Sequence, residues 1–360
     1  MKRHIIILLA TLLTSLTAMA QEERDTVVIT LQDGSEVRYT DDQFDRVQVI
    51  FNLRFGVKVY LKNGKSKDYL ATKVEVHEYH GGGGVVTDNN INRNLYRAKL
   101  LEYPHLAADS TMNQLIIKST DDYGITYSLE WSYADKANRW TCYELHSGNN
   151  FRGDSVVRQD DFREDPEIAP QYRSTLNDYS KSGFSRGHLC PSADRLCSND
   201  QNSQTFFLSN MQPQWQNHNG VLWSNLESLV HGWSDKCDTL YVVKAATIRS
   251  DQVYEEKCND RLLVPKYFYM AILSYDKQSN SYKAIGLWTV HENVSDKNKN
   301  YGDYAISIDK LEELTGIDFF CNLPDDIEDA VENQCEKKYD PKTNKWYIEN
   351  WGITCTPPDP

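Results

Sequence analysis

Four polar side chains in the middle of the chain have the chemistry needed to break a phosphodiester bond. Arg186 and His188 are separated by a single glycine, and Asn219 and Glu227 follow in a later apolar segment. A guanidinium group binds phosphate oxygens in a bidentate fork, and an imidazole accepts a proton near neutral pH. Amide and carboxylate oxygens are ligands that Mg²⁺ prefers, directly or through water. These residue types are therefore typical of hydrolysis assisted by one hydrated cation.

The segment that contains Asn219 and Glu227 has the periodicity of an α-helix that begins near Asn217 to Asn219 and ends near His231. The apolar positions of its buried face are Leu222, Leu226, Leu229 and Val230. Asn219, Trp223 and Glu227 follow one another at i, i+4 and i+8 on a different face. Asn219 and Glu227 are then roughly 12 Å apart along the helix axis. We therefore expect Asn219 to contact the cation directly and Glu227 to bind its water shell.

The two segments together resemble the DNA/RNA non-specific endonuclease family, the ββα-metal (His-Me finger) nucleases that include mitochondrial endonuclease G. The mark of that family is Asp-Arg-Gly-His, followed by a segment that ends in Asn-x-x-x-Trp-x-x-x-Glu. The matching residues of this chain are Arg186, Gly187, His188, Asn219, Trp223 and Glu227. The likeness extends from about residue 123 to residue 324.

The resemblance implies a role for each residue of the site. His188 would be the general base, Asn219 the metal ligand and Glu227 a holder of metal-bound water. Arg186 would contact the phosphate or the transition state. A further upstream arginine belongs to the family's site, and Arg158 is the candidate here. The implied activity is Mg²⁺-dependent hydrolysis of DNA and RNA, with Mn²⁺ as the alternative ion, little sequence preference and 5′-phosphate ends.

Ser185 departs from the family pattern, which has aspartate at this position. A serine keeps a hydrogen-bonding group but lacks a carboxylate near the hydrated ion, so we expect the metal affinity or the pH profile to differ. Two other functions stay open on this basis: a catalytically impaired nucleic-acid-binding surface protein, and a phosphodiesterase of small nucleotides. The complete Asn-Trp-Glu element favours the endonuclease over both.

Each candidate functional residue could instead have a purely structural role. Cys190 and Cys197 are zinc-type ligands, but the chain has no Cys-x-x-Cys pair. Asn219 could be a helix N-cap, since asparagine is among the preferred caps. Trp215 and Trp223 are more often core residues than platforms for bases. Isolated histidines are more often structural than catalytic, and this interpretation covers His77, His80, His105, His146, His231 and His291.

The formal net charge of −13 is unusual for a protein that acts on nucleic acid, because such proteins usually present a basic surface. A local group of cations can nevertheless work within an acidic protein. The candidates for phosphate contacts are Arg173, Lys181, Arg186 and Arg195. No recognition helix or basic arm is visible, so sequence-specific binding is not expected.

The first residues have the features of a secretory signal peptide over residues 1–20. Lys2 and Arg3 precede an apolar run, and Ala18-Met19-Ala20 is a small-x-small cleavage signal. We therefore expect a mature chain that begins at Gln21 and is exported, either periplasmic or secreted. No later stretch approaches the roughly 20 apolar residues of a membrane span.

Export and an even number of cysteines favour disulfide bonds. All eight cysteines follow position 141. Their connectivity does not follow from the sequence, although local pairs are expected within two groups: Cys237 with Cys258, and the trio Cys321, Cys335 and Cys355.

Composition divides the mature chain into four parts. We predict a small β-rich unit over 21–80, a Gly-rich linker over 81–95, the endonuclease domain over 96–325 and a C-terminal tail over 326–360. Strand-turn-strand patterns occur around Asp33-Gly34 and Asn63-Gly64. The sequence leaves both a monomer and a homodimer open.

The predicted endonuclease domain has more strand signals than helix signals. Strands are expected at 126–133, 139–145, 205–208, 239–248, 266–275 and 282–290. Besides the helix near Asn219, one helix is expected between Ser307 as N-cap and Gly316 as its terminating glycine. Because the strands come in succession, we predict an α+β domain around an antiparallel or mixed sheet.

Overall fold

The computed structural model describes two compact units, one within residues 1–99 and one within residues 100–360. The described residues are 26–31, 35–40, 43–51, 55–61, 63, 65–77, 100–107 and 112–358. The predicted signal peptide, the linker over 81–95 and the Asp33-Gly34 turn lie outside these ranges. No helix in the described part of the chain is long and apolar enough to cross a membrane.

The first unit is a five-stranded antiparallel sheet. Its strands are β1 (Thr26–Leu31), β2 (Glu36–Thr40), β3 (Phe44–Phe51), β4 (Phe55–Leu61) and β5 (Ser66–His77), in the order β2-β1-β5-β4-β3. Strands β1 and β2 form one hairpin, and β4 and β5 form another. In the second hairpin, Lys65 N–H donates to Asn63 Oδ1 at 3.1 Å, as in an Asx turn. The strand-turn-strand patterns therefore produce hairpins.

The second unit is built on a seven-stranded antiparallel sheet with the order β16-β15-β14-β11-β8-β7-β6. Its strands are β6 (Asn113–Thr120), β7 (Gly124–Ser132), β8 (Ala137–His146), β11 (Thr239–Ala246), β14 (Tyr267–Asp276), β15 (Ser281–Val290) and β16 (Ala305–Ile306). The strands β8, β11 and β14 form the middle of the sheet and are buried on both faces. Side chains of both pleat directions are therefore mostly apolar there, and Lys244 in β11 is a buried exception.

Smaller sheets and short helices surround this sheet. The strand pairs are β9 (Phe184–His188) with β10 (Met211–Trp215), and β12 (Val253–Cys258) with β13 (Leu262–Pro265); β17 (Lys337–Asp340), β18 (Lys345–Ile348) and β19 (Thr354–Cys355) form a third sheet. The α-helices are α1 (Leu176–Tyr179), α2 (Asn199–Gln204), α3 (Ser224–Ser234), α4 (Ile308–Thr315) and α5 (Asp325–Glu332). A π-helical segment, His218–Trp223, leads directly into α3. The prediction of an α+β fold around an antiparallel sheet is confirmed.

Most predicted elements occur where the sequence placed them. Helix α4 has Ser307 as its N-cap, with Lys310 N–H donating to the hydroxyl, and it ends at Gly316 with φ 69°. The predicted strand at 205–208 is wrong. Thr205 closes α2, and Phe206 is fully buried in the turn that follows. A short apolar run in a buried turn cannot be told from a buried strand by its pattern.

The predicted disulfides are not found. All eight cysteines are free thiols in the structure. Cys258 lies against Asp178, with Sγ 3.1 Å from its carbonyl oxygen, and Cys237 lies on the turn after α3, 3.6 Å from the Trp233 carbonyl oxygen. Cys237 and Cys258, predicted as a local pair, therefore have different neighbours. Residues 326–360, predicted as a tail, contain most of α5 and the third small sheet, and they belong to the second compact unit.

Candidate active site

Strands β9 and β10 position the Arg-Gly-His segment. They pair antiparallel, with Arg186 opposite Pro213 and His188 opposite Met211. Successive side chains of a strand point to opposite faces, so Arg186 and His188 project from the same face. Ser185 and Gly187 have the opposite orientation.

Close packing requires the glycine at position 187, between Arg186 and His188. A Cβ at Gly187 would lie 2.2 Å from Oε1 and 2.8 Å from Cβ of Gln214, whose side chain is fully buried. Gln214 in turn bonds the buried imidazole of His218, with Nε2 2.7 Å from Nδ1. A side chain at position 187 would therefore displace β9 from β10.

The imidazole of His188 packs against two adjacent phenyl rings. The ring centroids of Phe162 and Phe206 lie 5.7 and 5.1 Å from that of His188, both in edge-to-face arrangement. Nε2 of His188 is buried and has no hydrogen-bond partner among the described residues. A buried nitrogen without a partner is costly, so it indicates a position where a water or a substrate atom completes the site.

The environment of His188 keeps the ring neutral. Burial and, to a smaller extent, the nearby cations Arg158, Lys244 and Arg186 together lower its pKa to about 3. Both desolvation and neighbouring positive charge disfavour the imidazolium ion. At neutral pH the imidazole is therefore free to accept a proton.

The same two phenyl rings also carry the two arginines. The guanidinium carbon of Arg186 lies 3.7 Å from the ring centroid of Phe162, and that of Arg158 lies 4.8 Å from that of Phe206. Arg158 is also held by Asp160, at 2.7 Å, and by the hydroxyl of Ser192. Stacked guanidinium groups keep their N–H edges available for an anion.

These residues line one open cleft of about 700 Å³. Its walls are formed by Arg158, Phe162, Leu176, Asn177, Tyr179, Ser180, Lys181, Phe184, Ser185, Arg186, His188, Gln216 and Asn219. The structure thus brings four of the five predicted site residues to one cavity: His188, Arg186, Arg158 and Asn219. Three of these are cationic or protonatable, and Lys181 adds a further cation.

Asn219 lies in the π-helical segment, which differs from the predicted regular α-helix. It is the second residue of His218–Trp223, so the expectation of an N-cap is wrong. The α-helical spacing used to place Asn219 and Glu227 holds only from Ser224 onward. π-Helical turns are rare and occur mostly at functional sites. Here the turn presents the Asn219 amide to the cleft.

Two buried histidines fix the start of this π-helical segment. His218 Nε2 donates to Thr289 Oγ1 at 3.1 Å, and His291 accepts the backbone N–H of Trp215 at 2.7 Å. Burial is the main reason that the pKa values fall to about 3 for His218 and about 4 for His291. Both rings are therefore neutral hydrogen-bonding groups at neutral pH, which fits the structural interpretation given to His291.

Glu227 does not line the cleft and is paired with a buried lysine. Lys244 Nζ lies 2.5 Å from Glu227 Oε1, and the side chain of Lys244 is 1% exposed and that of Glu227 22%. Burial raises the pKa of Glu227, and Lys244 opposes the rise. Lys244 is also one of the cations that lower the pKa of His188. The face of Trp223 is 5.1 Å from Lys244 Nζ.

Ser185 also lines the cleft, although its side chain leaves β9 on the other face from Arg186 and His188. Its hydroxyl donates to Gln216 Oε1 at 2.6 Å. Where the family pattern has aspartate, this chain therefore has a neutral serine whose hydroxyl is hydrogen-bonded to Gln216.

Several expectations for neighbouring residues need correction. Arg195 is fully buried and donates to the carbonyl oxygens of Thr126, Asp194 and Glu144, so it does not contact phosphate. Arg173 bonds the carbonyl of Ile168 outside the cleft. Trp223 is buried, as expected of a core residue, and Trp215 packs on Phe184.

Sequence reasoning missed Phe162, Phe206 and Lys244. The two phenylalanines occur in separate loops, and an isolated aromatic residue gives no sign of which side chain it supports. Lys244 offered one signal, a charged residue inside an otherwise apolar strand pattern. Such a residue is buried only with a partner.

Comparison with known proteins agrees with this geometry. The model of the DNA/RNA non-specific endonucleases matches residues 110–326, more than half of the chain. A nuclease of Nostoc sp. strain PCC 7120 is 29% identical over 230 residues, which cover 62% of this chain and 79% of that protein. Nuclease C1 of Cunninghamella echinulata is 31% identical over 207 residues, which cover 55% and 81%.

More distant similarity extends to mitochondrial proteins. The mitochondrial nuclease EXOG of Xenopus laevis is 28% identical over 210 residues, 56% of this chain and 58% of that protein. A chain in the crystal structure of the EndoG/EndoGI complex matches with a TM-score of 0.51 and 24% identity, over 59% of this chain and 88% of that one. This last similarity concerns the fold alone.

Proposed function

Because this chain belongs to the DNA/RNA non-specific endonuclease family and is a phosphodiester hydrolase, we propose that it is an endonuclease that cleaves both DNA and RNA with little sequence preference. In this proposal His188 is the general base, and Asn219 binds a divalent cation, Mg²⁺ or alternatively Mn²⁺. One observation carries it: a neutral imidazole, two arginines and the Asn219 amide share one open cleft.

The donor set of the site fits a hydrated divalent cation. Asn219 offers an amide oxygen at the cleft. Glu227 does not line the cleft, and its carboxylate is one-fifth exposed and paired with Lys244. Oxygen ligands suit Mg²⁺, which keeps several waters and needs few protein ligands. Asn219 would bind the ion and Glu227 would orient its waters. A bound divalent cation supplies positive charge beside the phosphate and the leaving oxygen.

The arginines would bind and orient the substrate phosphate. Arg186 and Arg158 stack on adjacent rings, so their N–H groups can engage nonbridging oxygens of one phosphodiester. These contacts involve the nucleic-acid backbone, which is the same for every base sequence. They therefore support cleavage with little sequence preference.

His188 would take the proton of the attacking water. As the water oxygen bonds to phosphorus, the bond from phosphorus to the 3′ oxygen would break, and the departing 3′ oxygen would take a proton from a second water molecule, which leaves a 5′-phosphate and a 3′-hydroxyl. A base with a pKa of about 3 is weak, but the bound phosphate offsets the charges of Arg158 and Arg186. Substrate binding would thereby raise the pKa of His188 toward neutrality, where general-base catalysis is most efficient.

Residues 1–20 support the further proposal that the enzyme is exported. Their basic start, apolar run and small-x-small end are those of a signal peptide. Mass spectrometry of the native protein should give a chain that begins at Gln21. An intact N-terminus on protein from the producing cell would contradict export by this route.

The activity is tested with supercoiled plasmid DNA and with RNA, with Mg²⁺ or Mn²⁺ present and with EDTA as control. We expect both substrates to be cut, and His188→Ala to lose at least about a hundredfold in rate. His146→Ala is the matched control, because His146 does not line the cleft. Equal rates for His188→Ala and the wild type would overturn the base, and no cutting by any protein would overturn the activity.

The same assay separates the other two functions. A binding protein without turnover retains labelled DNA in a mobility-shift assay but leaves the plasmid intact. A phosphodiesterase of small nucleotides cuts a dinucleotide faster than the polymer. Ser185→Asp adds the carboxylate of the family pattern, so we expect half-maximal activity at a lower Mg²⁺ concentration.

A further inference from the structure

Helices α4 and α5 bring three carboxylates together away from the cleft. Asp309 and Glu312 lie on α4, and Glu332 is the last residue of α5. One carboxylate oxygen from each lies within 4.8 Å of the other two. None of the three lines the nuclease cleft. Asp309 and Glu312 fall within the region matched by the family model, whereas Glu332 lies beyond its end at residue 326.

Glu332 lacks what a buried carboxylate needs. The residue is only 7% exposed, and its buried Oε1 has no hydrogen-bond partner among the described residues. Buried charged groups are normally paired, hydrogen-bonded or bound to a metal. The carboxylate of Glu332 meets those of Asp309 and Glu312, so a cation bound among the three would lie beside this unpartnered group.

The surrounding charges increase the need for a cation. The groups that raise the pKa of Glu332 to about 9 are, after burial itself, Glu312, Glu328, Asp309 and Asp318. All four are carboxylates. The nearest lysine along α4, Lys310, is engaged by Glu313 at 2.6 Å. Burial raises the pKa of Glu312 to about 7, although the backbone N–H of Phe319, which donates to Glu312 Oε1 at 2.6 Å, opposes the rise.

The type and setting of the ligands favour Ca²⁺. Ca²⁺ takes about 6–8 oxygen ligands at about 2.3–2.6 Å in a flexible geometry, whereas Mg²⁺ needs a near-ideal octahedron at about 2.0–2.1 Å. Ca²⁺ also accepts irregular coordination completed by water, which suits two adjacent helices better than a strict octahedron does.

We propose that Asp309, Glu312 and Glu332 bind a Ca²⁺ ion that fastens α5 to α4. The doubly charged ion offsets two of the three negative charges and contacts all three carboxylates, whereas a single shared proton would neutralise one. It ties the segment after the family domain to the body of the second unit. The site stabilises the fold and takes no part in the cleavage reaction.

The test uses the full-length protein, stripped with EDTA and titrated with Ca²⁺ by calorimetry and thermal unfolding. We expect a rise in Tm of about 5 °C at a hundredfold excess of Ca²⁺ over Kd. Glu332→Gln should bind one Ca²⁺ fewer and lose this rise. Glu313→Gln, an exposed carboxylate on the same helix, is the control and should respond as the wild type does.

The metal-free proteins provide an internal check on folding. Without Ca²⁺, the carboxyl of Glu332 has a pKa raised to about 9 and is largely protonated at neutral pH, so Glu332→Gln should have a Tm equal to or above that of the wild type, and the order should reverse with Ca²⁺. Asp309→Asn serves as a second variant with the same expected pattern. An equal Ca²⁺ response in wild type and Glu332→Gln would overturn the site. No Ca²⁺ response in the wild type would show that a shared proton holds the cluster instead. An equal Mg²⁺ response would overturn the choice of ion.

Discussion

Among the residues next to the site, Lys244 should cause the largest loss of folding stability when it is substituted. The substitution Lys244→Met keeps a long side chain but removes the charge that lies 2.5 Å from Glu227. Removing one partner of a fully buried ion pair costs about 3–5 kcal/mol, because the other charge is left unpaired. Glu227 keeps 22% of its side chain exposed to water. We therefore expect the free energy of unfolding to fall by about 2–3 kcal/mol.

The loss should depend on pH in a defined direction. Burial raises the pKa of Glu227 and Lys244 opposes the rise, so the variant has a still higher pKa at this carboxyl. The folded variant then binds a proton more readily than the unfolded chain does. Its deficit relative to the wild type should shrink as the pH falls from 7 toward about 4, where the carboxyl is protonated in both states.

Urea unfolding in EDTA, at pH 7 and at pH 5, measures both effects. The double variant Lys244→Met/Glu227→Gln should recover most of the loss, with a coupling energy of at least about 1 kcal/mol. Lys310→Met is the matched control, because its partner Glu313 and Lys310 itself are both exposed, and it should change stability by less than about 1 kcal/mol. Simple additivity of the two site substitutions would refute the argument that the buried pair is coupled.

Two further predictions concern the cleft. Gly187→Ala places a methyl group 2.2 Å from Gln214 Oε1, so it should cost about 1–3 kcal/mol in stability and lower kcat about a hundredfold by shifting His188. Chemical unfolding measures the loss of stability, and plasmid nicking measures the loss of activity. A nicking rate equal to that of the wild type would show that β9 adapts freely. For the pH profile, the acid limb of kcat/KM, which reports the free enzyme, should lie below that of kcat, because bound phosphate raises the pKa of His188 from about 3. Arg158→Gln should move the kcat/KM limb to higher pH, and coincident limbs in the wild type would contradict the proposed effect of the substrate.

Local patterns predicted much of the fold. Alternation and turn residues located β7, β8, β11, β14 and β15, and the Ser307 cap with Gly316 located α4. These signals depend on neighbouring residues alone, so a single sequence contains them. Strand order did not follow, because the pairing of β11 between β8 and β14 joins segments that are far apart in the chain.

The π-helical turn at His218–Trp223 did not follow from the pattern of neighbouring residues. The spacing of Asn219 and Glu227 suits an α-helix, but the contacts of His218 with Gln214 and Thr289 hold the first turn in a wider form. Thr289 comes from β15, a distant strand. A tertiary contact thus decided the local backbone.

The sequence by itself determined the chemistry of this protein: an arginine and a histidine around a glycine, an asparagine and a glutamate at fixed spacing, and the family that they indicate. Residue type and order are sufficient for that. Only the tertiary structure decided which residues meet in the cleft, that Phe162 and Phe206 hold both the base and the arginines, and that Lys244 neutralises Glu227. It also decided the neutral state of His188, because desolvation and charge depend on distances in space and not on positions in the chain.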